Sequence, residues 1–143
     1  MKNIPARIGW ELILPIFLII LLPISLDVKN GNWEIVLVPC AIFGAILLLT
    51  LTIRYKIDNE FLYVKNSIFG TTKIKVNDIY KIEKTGNIIS APAPSIIGRV
   101  EIYFTNGSII ISPKNFSDFE NDLLKINPNI TVKKIKHDLE NYF

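Results

Sequence analysis

Two uninterrupted apolar runs constrain this chain more than any other feature. Ile8 to Leu26 reads IGWELILPIFLIILLPISL, 19 residues with one ionisable group, Glu11. Ile35 to Ile53 reads IVLVPCAIFGAILLLTLTI, 19 residues with none. At about 1.5 Å per residue a helix of either run is roughly 28 Å long, close to the hydrocarbon thickness of a bilayer. Two such runs exceed what the soluble core of a 143-residue chain requires, so the expectation is two transmembrane helices, about 8–26 and 35–53. Pro15, Pro23 and Pro39 would break soluble helices, whereas spanning helices tolerate them where neighbours satisfy the freed carbonyls.

The polar stretch DVKNGNWE, residues 27–34, centres on Asn30-Gly31 and returns the chain, so the two helices form an antiparallel hairpin. Trp10, Trp33 and Tyr55 flank the runs, where aromatic rings favour the headgroup level. Lys2 and Arg7 precede the first run, Arg54 and Lys56 follow the second, and the loop offers only Lys29. The positive-inside rule then places both termini in the cytoplasm. A cleaved signal peptide is the weaker reading, because no A-x-A-like site follows the first run and the second comes directly after it. Glu11 falls in a first helical turn, where the macrodipole favours an acid, so a relay role is the weaker reading there too. Cys40, Ala41, Gly44 and Ala45 are small enough for close helix approach, within the hairpin or between protomers of a homo-oligomer. Cys40 reads as packing.

Half the residues are apolar and mean hydropathy is +0.36, but the excess belongs to those runs. The formal charge of +3 lies wholly in residues 54–143, with 13 basic and 10 acidic groups. That mixture tells against a nucleic-acid binder, which would concentrate one sign on one face. One cysteine and one histidine exclude a disulfide scaffold and a closed zinc site. His137 stands alone, there is no glycine-rich phosphate loop, and Ser90, Ser95 and Ser112 have no histidine nearby in sequence, so neither enzyme nor cofactor is expected. Asp78, Glu83 and Glu101 read as carboxylates on a solvated strand face.

Beyond Ile53 the pattern becomes short alternating runs separated by turn residues, the mark of half-buried strands. Strands are expected at 54–58, 61–68, 72–76, 79–84, 99–105 and 108–112, with Ile74, Val76, Val100, Ile102 and Phe104 inward. Ser90-Ala-Pro-Ala-Pro-Ser95 is a connector, since its prolines cannot donate to a ladder. Asn106-Gly107 suggests a type I′ hairpin turn. A helix from about Asn115 carries Phe116, Phe119, Leu123 and Ile126 on one stripe, with Ser117 and Glu120 spaced for a capping box, and Asn127-Pro128 ends it. In the basic tail, 131–143, Val132, Ile135, Leu139 and Tyr142 share one helical face, either docked on the domain or lying on the membrane.

These elements in order, from Tyr55-x-Ile57-x-Asn59-x2-Leu62 through Val76-Asn-Asp-Ile79, Ile82-Glu83, Ser95, Arg99-Val-Glu-Ile102, Gly107, Ile111-Ser-Pro113, Phe119, Leu123 and Asn127-Pro128-x-Ile130, resemble the YyaB-like bacterial pleckstrin-homology (PH) domain. The resemblance covers about half the chain, and such domains commonly follow one or two membrane helices. It implies an α+β protein: a two-helix transmembrane hairpin (1–53), then a PH-like antiparallel β-barrel or sandwich of about seven strands capped by a C-terminal helix (54–130). It brings no catalytic residues. Eukaryotic PH domains bind phosphoinositides through basic residues on their first strands, but the R-x-R element of those sites is missing here. Arg54, Lys56, Lys65, Lys73 and Lys75 remain candidates for contact with anionic headgroups, beside the plain reading of solvated strand positions. The expected function is a non-catalytic interaction module at the cytoplasmic face of the bacterial inner membrane, with a protein, a peptide or the lipid surface as partner. Small membrane-anchored proteins resembling this one also include bacteriocin-immunity factors, which stands as the alternative.

Overall fold

Residues Lys2–Ile4 form a strand, β1, where the charge pattern suggested only the flank of a membrane helix. The computed structural model describes residues 1–29, 33–88 and 93–134. Two helices follow, α1 (Trp10–Lys29) and α2 (Trp33–Leu51). They run antiparallel, with the Phe17 and Phe43 rings 5.3 Å apart at mid-length. Among the described residues no helix is long and apolar enough to cross a membrane. The turn centre at 30–32, and the side chains at 21, 23, 26–28 and 33–35 within the expected hairpin, lie outside what is described.

Past residue 53 every expected run becomes a strand. These are β2 (Arg54–Ile57), β3 (Phe61–Lys65), β4 (Thr71–Lys75), β5 (Ile79–Lys84), β6 (Val100–Phe104) and β7 (Gly107–Ile111). Helix α3 (Phe116–Ile126) follows, and then a short strand, β8 (Thr131–Lys133). The first sheet has the order β1-β2-β3-β4, the second β7-β6-β5-β8. All pairings are antiparallel except β5 with β8, which is parallel. The start of the tail is thus a strand, not a helix: once Asn127-Pro128 has ended α3, Ile130 is buried and Thr131–Lys133 pair along the open edge of β5. Residues 135–143 lie outside the described part.

The sheets share one core, with Tyr55, Leu62, Val64 and Val76 from one side and Ile82, Val100, Ile102 and Ile111 from the other, closed at one end by Phe119 and Leu123 of α3. Among the described residues the two sheets do not close into a barrel. The segment after β1 meets the second sheet through the Ala6–Pro113 bridge and two bonds, Arg7 N–H to the Ser112 carbonyl (2.8 Å) and Lys114 N–H to the Pro5 carbonyl (2.9 Å). Pro5 and Pro113 have no N–H to continue that seam as a ladder.

Three local expectations change. Tyr55 is 1% exposed and lies in the core, its hydroxyl accepting from the Ser112 N–H at 3.2 Å, so it is not a headgroup-level ring. The β6–β7 turn falls on Thr105-Asn106. Of the turn residues only Gly107 has positive φ (+148°), which excludes type I′. The cap of α3 is Asn115, whose carbonyl oxygen accepts from the N–H groups of Ser117 (3.1 Å) and Asp118 (3.4 Å) while its amide donates to Asp118 (2.8 Å). The cap is therefore set two residues before the Ser117–Glu120 pair, and Asp118 accepts from the side-chain amide of Asn115, not from its backbone N–H as a capping box would.

Candidate functional site

Strand alternation decides where the five candidate cations go. In β2 the buried positions are Tyr55 and Ile57, so Arg54 and Lys56 face outward. The register sets Arg54 opposite Lys65 and Lys65 opposite Thr71, while Lys56 faces Tyr63 and Tyr63 faces Lys73. Lys75 lies opposite Phe61 at the far end. All five cations are exposed on the outer face of the first sheet.

They do not act as one set. The Lys73 ammonium sits 3.7 Å from the centre of the Phe61 ring and 5.6 Å from that of Tyr63, a cation–π arrangement that holds it against the sheet. Asp58 caps the β2–β3 turn, accepting from the N–H groups of Glu60 (2.9 Å) and Phe61 (2.7 Å), and those bonds hold its carboxyl below the usual range. Desolvation and the neighbouring Asp58 push the Tyr63 hydroxyl up. This end of the face is internally compensated.

The other end is not. Arg54, Lys56 and Lys65, with Tyr63 and Thr71, form one wall of a groove of about 660 Å³ whose other wall is Met1, Leu48 and Leu51 of the last turn of α2, and Thr52 just beyond it. Among the described residues no carboxylate lines it and no ion pair engages its three side-chain cations. It is cationic on the sheet side and apolar on the helix side. The cations were readable from strand alternation. The apolar wall was not, because Leu48 and Leu51 read as ordinary residues of a continuous apolar run.

A second junction ties α1 to the domain. A Glu11 carboxylate oxygen accepts from the Ser95 hydroxyl and from the N–H groups of Ile96 (3.0 Å) and Ile97 (3.1 Å). Arg99, 5% exposed, holds that loop from beneath, donating to the carbonyls of Ser95 (2.6 Å), Asn87 (2.8 Å) and Ala93 (3.4 Å). A Cβ on Gly9 would lie 2.2 Å from the Pro94 carbonyl oxygen, so only glycine permits this approach. Glu11 thus has a definite partner that its place in a first turn did not suggest.

Among the described residues no group of His, Cys, Asp and Glu is placed to hold a metal ion. His137 and Ser90 lie outside them. Residues 53–127 match the family model described as the bacterial PH domain. No curated protein and no solved structure matches the chain.

Proposed function

The chain belongs to the bacterial PH domain family, and from that premise we propose that it is a membrane-anchored, non-catalytic interaction module at the cytoplasmic face of the bacterial inner membrane. PH domains are as a rule interaction modules without catalysis, and a YyaB-like member with two membrane helices is the closer reading of this one.

The observation that carries the proposal is the place of the helical hairpin. It is inserted between β1 and β2, which pair directly through Lys2–Ile57, Asn3–Lys56 and Ile4–Tyr55. Both outer ends of the hairpin therefore sit at one sheet edge and on one side of any bilayer the helices cross. The helices also leave large apolar side chains in the open, among them Leu18, Ile19, Leu22, Leu37 and Leu48. A surface of that kind calls for lipid or protein cover. The partner of the domain is then a protein, a peptide or the anionic surface beneath it.

Fusions to alkaline phosphatase, which is active only in the periplasm, test the arrangement. Activity is expected for a fusion after Lys29 and none for one after Phe143. Activity at the C-terminus would remove the cytoplasmic assignment, and inactivity at both positions would remove the spanning hairpin.

A further inference from the structure

The turn joining β3 to β4, residues 66–70, is built inside out. Ser67 is buried and takes a left-handed conformation, φ +47°, which a non-glycine residue adopts only at a cost. Among the described residues its hydroxyl finds no hydrogen-bond partner. The next two residues, Ile68 and Phe69, are each 77% exposed. Two bonds fix the turn, Asn66 N–H to the Gly70 carbonyl and Phe69 N–H to the Asn66 carbonyl, both 2.8 Å. A turn that hides its serine and presents isoleucine and phenylalanine is arranged for something other than water.

Register shows where it points. Arg54 is the first strand residue after α2, and it pairs with Lys65, which pairs with Thr71. The turn between Lys65 and Thr71 therefore projects beyond Arg54, at the end of the sheet from which the helices leave. The cationic groove of Arg54, Lys56 and Lys65 opens beside it, against Leu48 and Leu51.

We infer that this corner is a seat for an anionic phospholipid of the bilayer. The phosphate is held by Arg54, Lys56 and Lys65, the upper acyl chain lies along Leu48 and Leu51, and Ile68 and Phe69 dip into the interface beside it. The inference rests on the membrane-anchored reading proposed above. Charge complementarity selects the ligand: three cations without a lining carboxylate meet an apolar wall, which matches a molecule with an anionic head and an apolar tail.

The test uses the full chain in vesicles of phosphatidylcholine with or without phosphatidylglycerol. Phe69→Cys, made with Cys40→Ser, carries an environment-sensitive fluorophore. The expected result is a blue-shifted probe and preferential photocrosslinking to phosphatidylglycerol, weakened roughly fivefold by each of Arg54→Gln, Lys56→Gln and Lys65→Gln. Lys75→Gln, on the same face but outside the groove, serves as the control for fold and bulk charge and is expected to change neither readout. A chain that resists alkaline carbonate extraction while its probe stays water-exposed overturns the seat and leaves the anchor standing. Release by carbonate with a water-exposed probe overturns both. Equal losses for Lys75→Gln and Lys65→Gln, or crosslinking indifferent to phosphatidylglycerol, overturn the seat by showing only diffuse attraction.

Discussion

At the scale of single residues, this fold depends on a few polar atoms held in apolar surroundings. Burial pushes the Tyr55 phenol up from 10.0 to about 12. The folded state therefore keeps a proton that the unfolded chain releases, so this contribution is whole below pH 10 and is lost as pH rises from 10 to about 12. A two-unit shift corresponds to about 3 kcal/mol at most. Tyr55→Phe should flatten that alkaline decline, seen as a smaller difference between urea midpoints near pH 9 and pH 12 than in the parent chain. At neutral pH it should cost about 1–2 kcal/mol, because the buried Ser112 N–H loses this acceptor. Asn127 works similarly. Its amide donates to the carbonyls of Val76 and Ile79, both at 3.0 Å, and pins the end of α3 to the junction between the two sheets. Asn127→Ala should destabilise by about 2–3 kcal/mol in urea titration, whereas Asn129→Ala, which removes no side-chain bond to either carbonyl, should cost under about 0.5 kcal/mol.

Among the elements, α3 is the most locally determined. Phe119 and Leu123 are buried on its stripe, and Asn115 supplies the cap. Asn115→Ala should cost about 1 kcal/mol, read from the same titration, while Ser117→Ala should cost less than half as much, since the Ser117 side chain does not cap. Strand alternation was legible in β2, β3 and β6, which bury every second residue against one core, but not in β5, whose register shifts between Ile79 and Lys81, or in β7, which buries the adjacent Ile110 and Ile111. Alternation sets Arg54 and Lys56 opposite in direction to Tyr55 and Ile57, and Lys73 and Lys75 to Ile74, while the face shared by all five candidate cations follows only from the register between strands. β1 and β8 were not legible. Each is three residues long, each has at most one buried side chain, and each is defined by a partner far away in sequence, β2 across the hairpin and β5 across two strands and a helix. The apolar wall of the groove and the Glu11 seat on residues 95–97 were hidden for the same reason: they are contacts between distant segments, and neither leaves a periodic trace.

For the whole molecule, the consequential fact is that the first strand belongs to the domain that follows the helices. Lys2 also pairs with Asp122 of α3 at 2.6 Å, so the N-terminus is fastened to both the first sheet and the capping helix. Replacing Lys2–Ile4 by Gly-Ser-Gly should strip the cover from the Tyr55 and Ile57 edge and lower the free energy of unfolding in urea titration by about 3–5 kcal/mol, on the order of the loss of one buried isoleucine plus a strand ladder. Replacing residues 135–143 by the same type of linker serves as the comparison, and an equal loss there would show that β1 has no special part in the domain.

This placement has a consequence for synthesis. β1 leaves the ribosome before either helix, yet its partner β2 is made only after both. Until the second helix has turned the chain back, the N-terminal strand waits without a neighbour. On the membrane-anchored reading proposed above, a chain with only one helix inserted would hold its two strands on opposite sides of the bilayer, and the sheet would keep a bare edge. On that reading, completion of the first sheet doubles as a check that the two helices have crossed as a pair: a chain with one helix left out is also a chain that cannot finish folding.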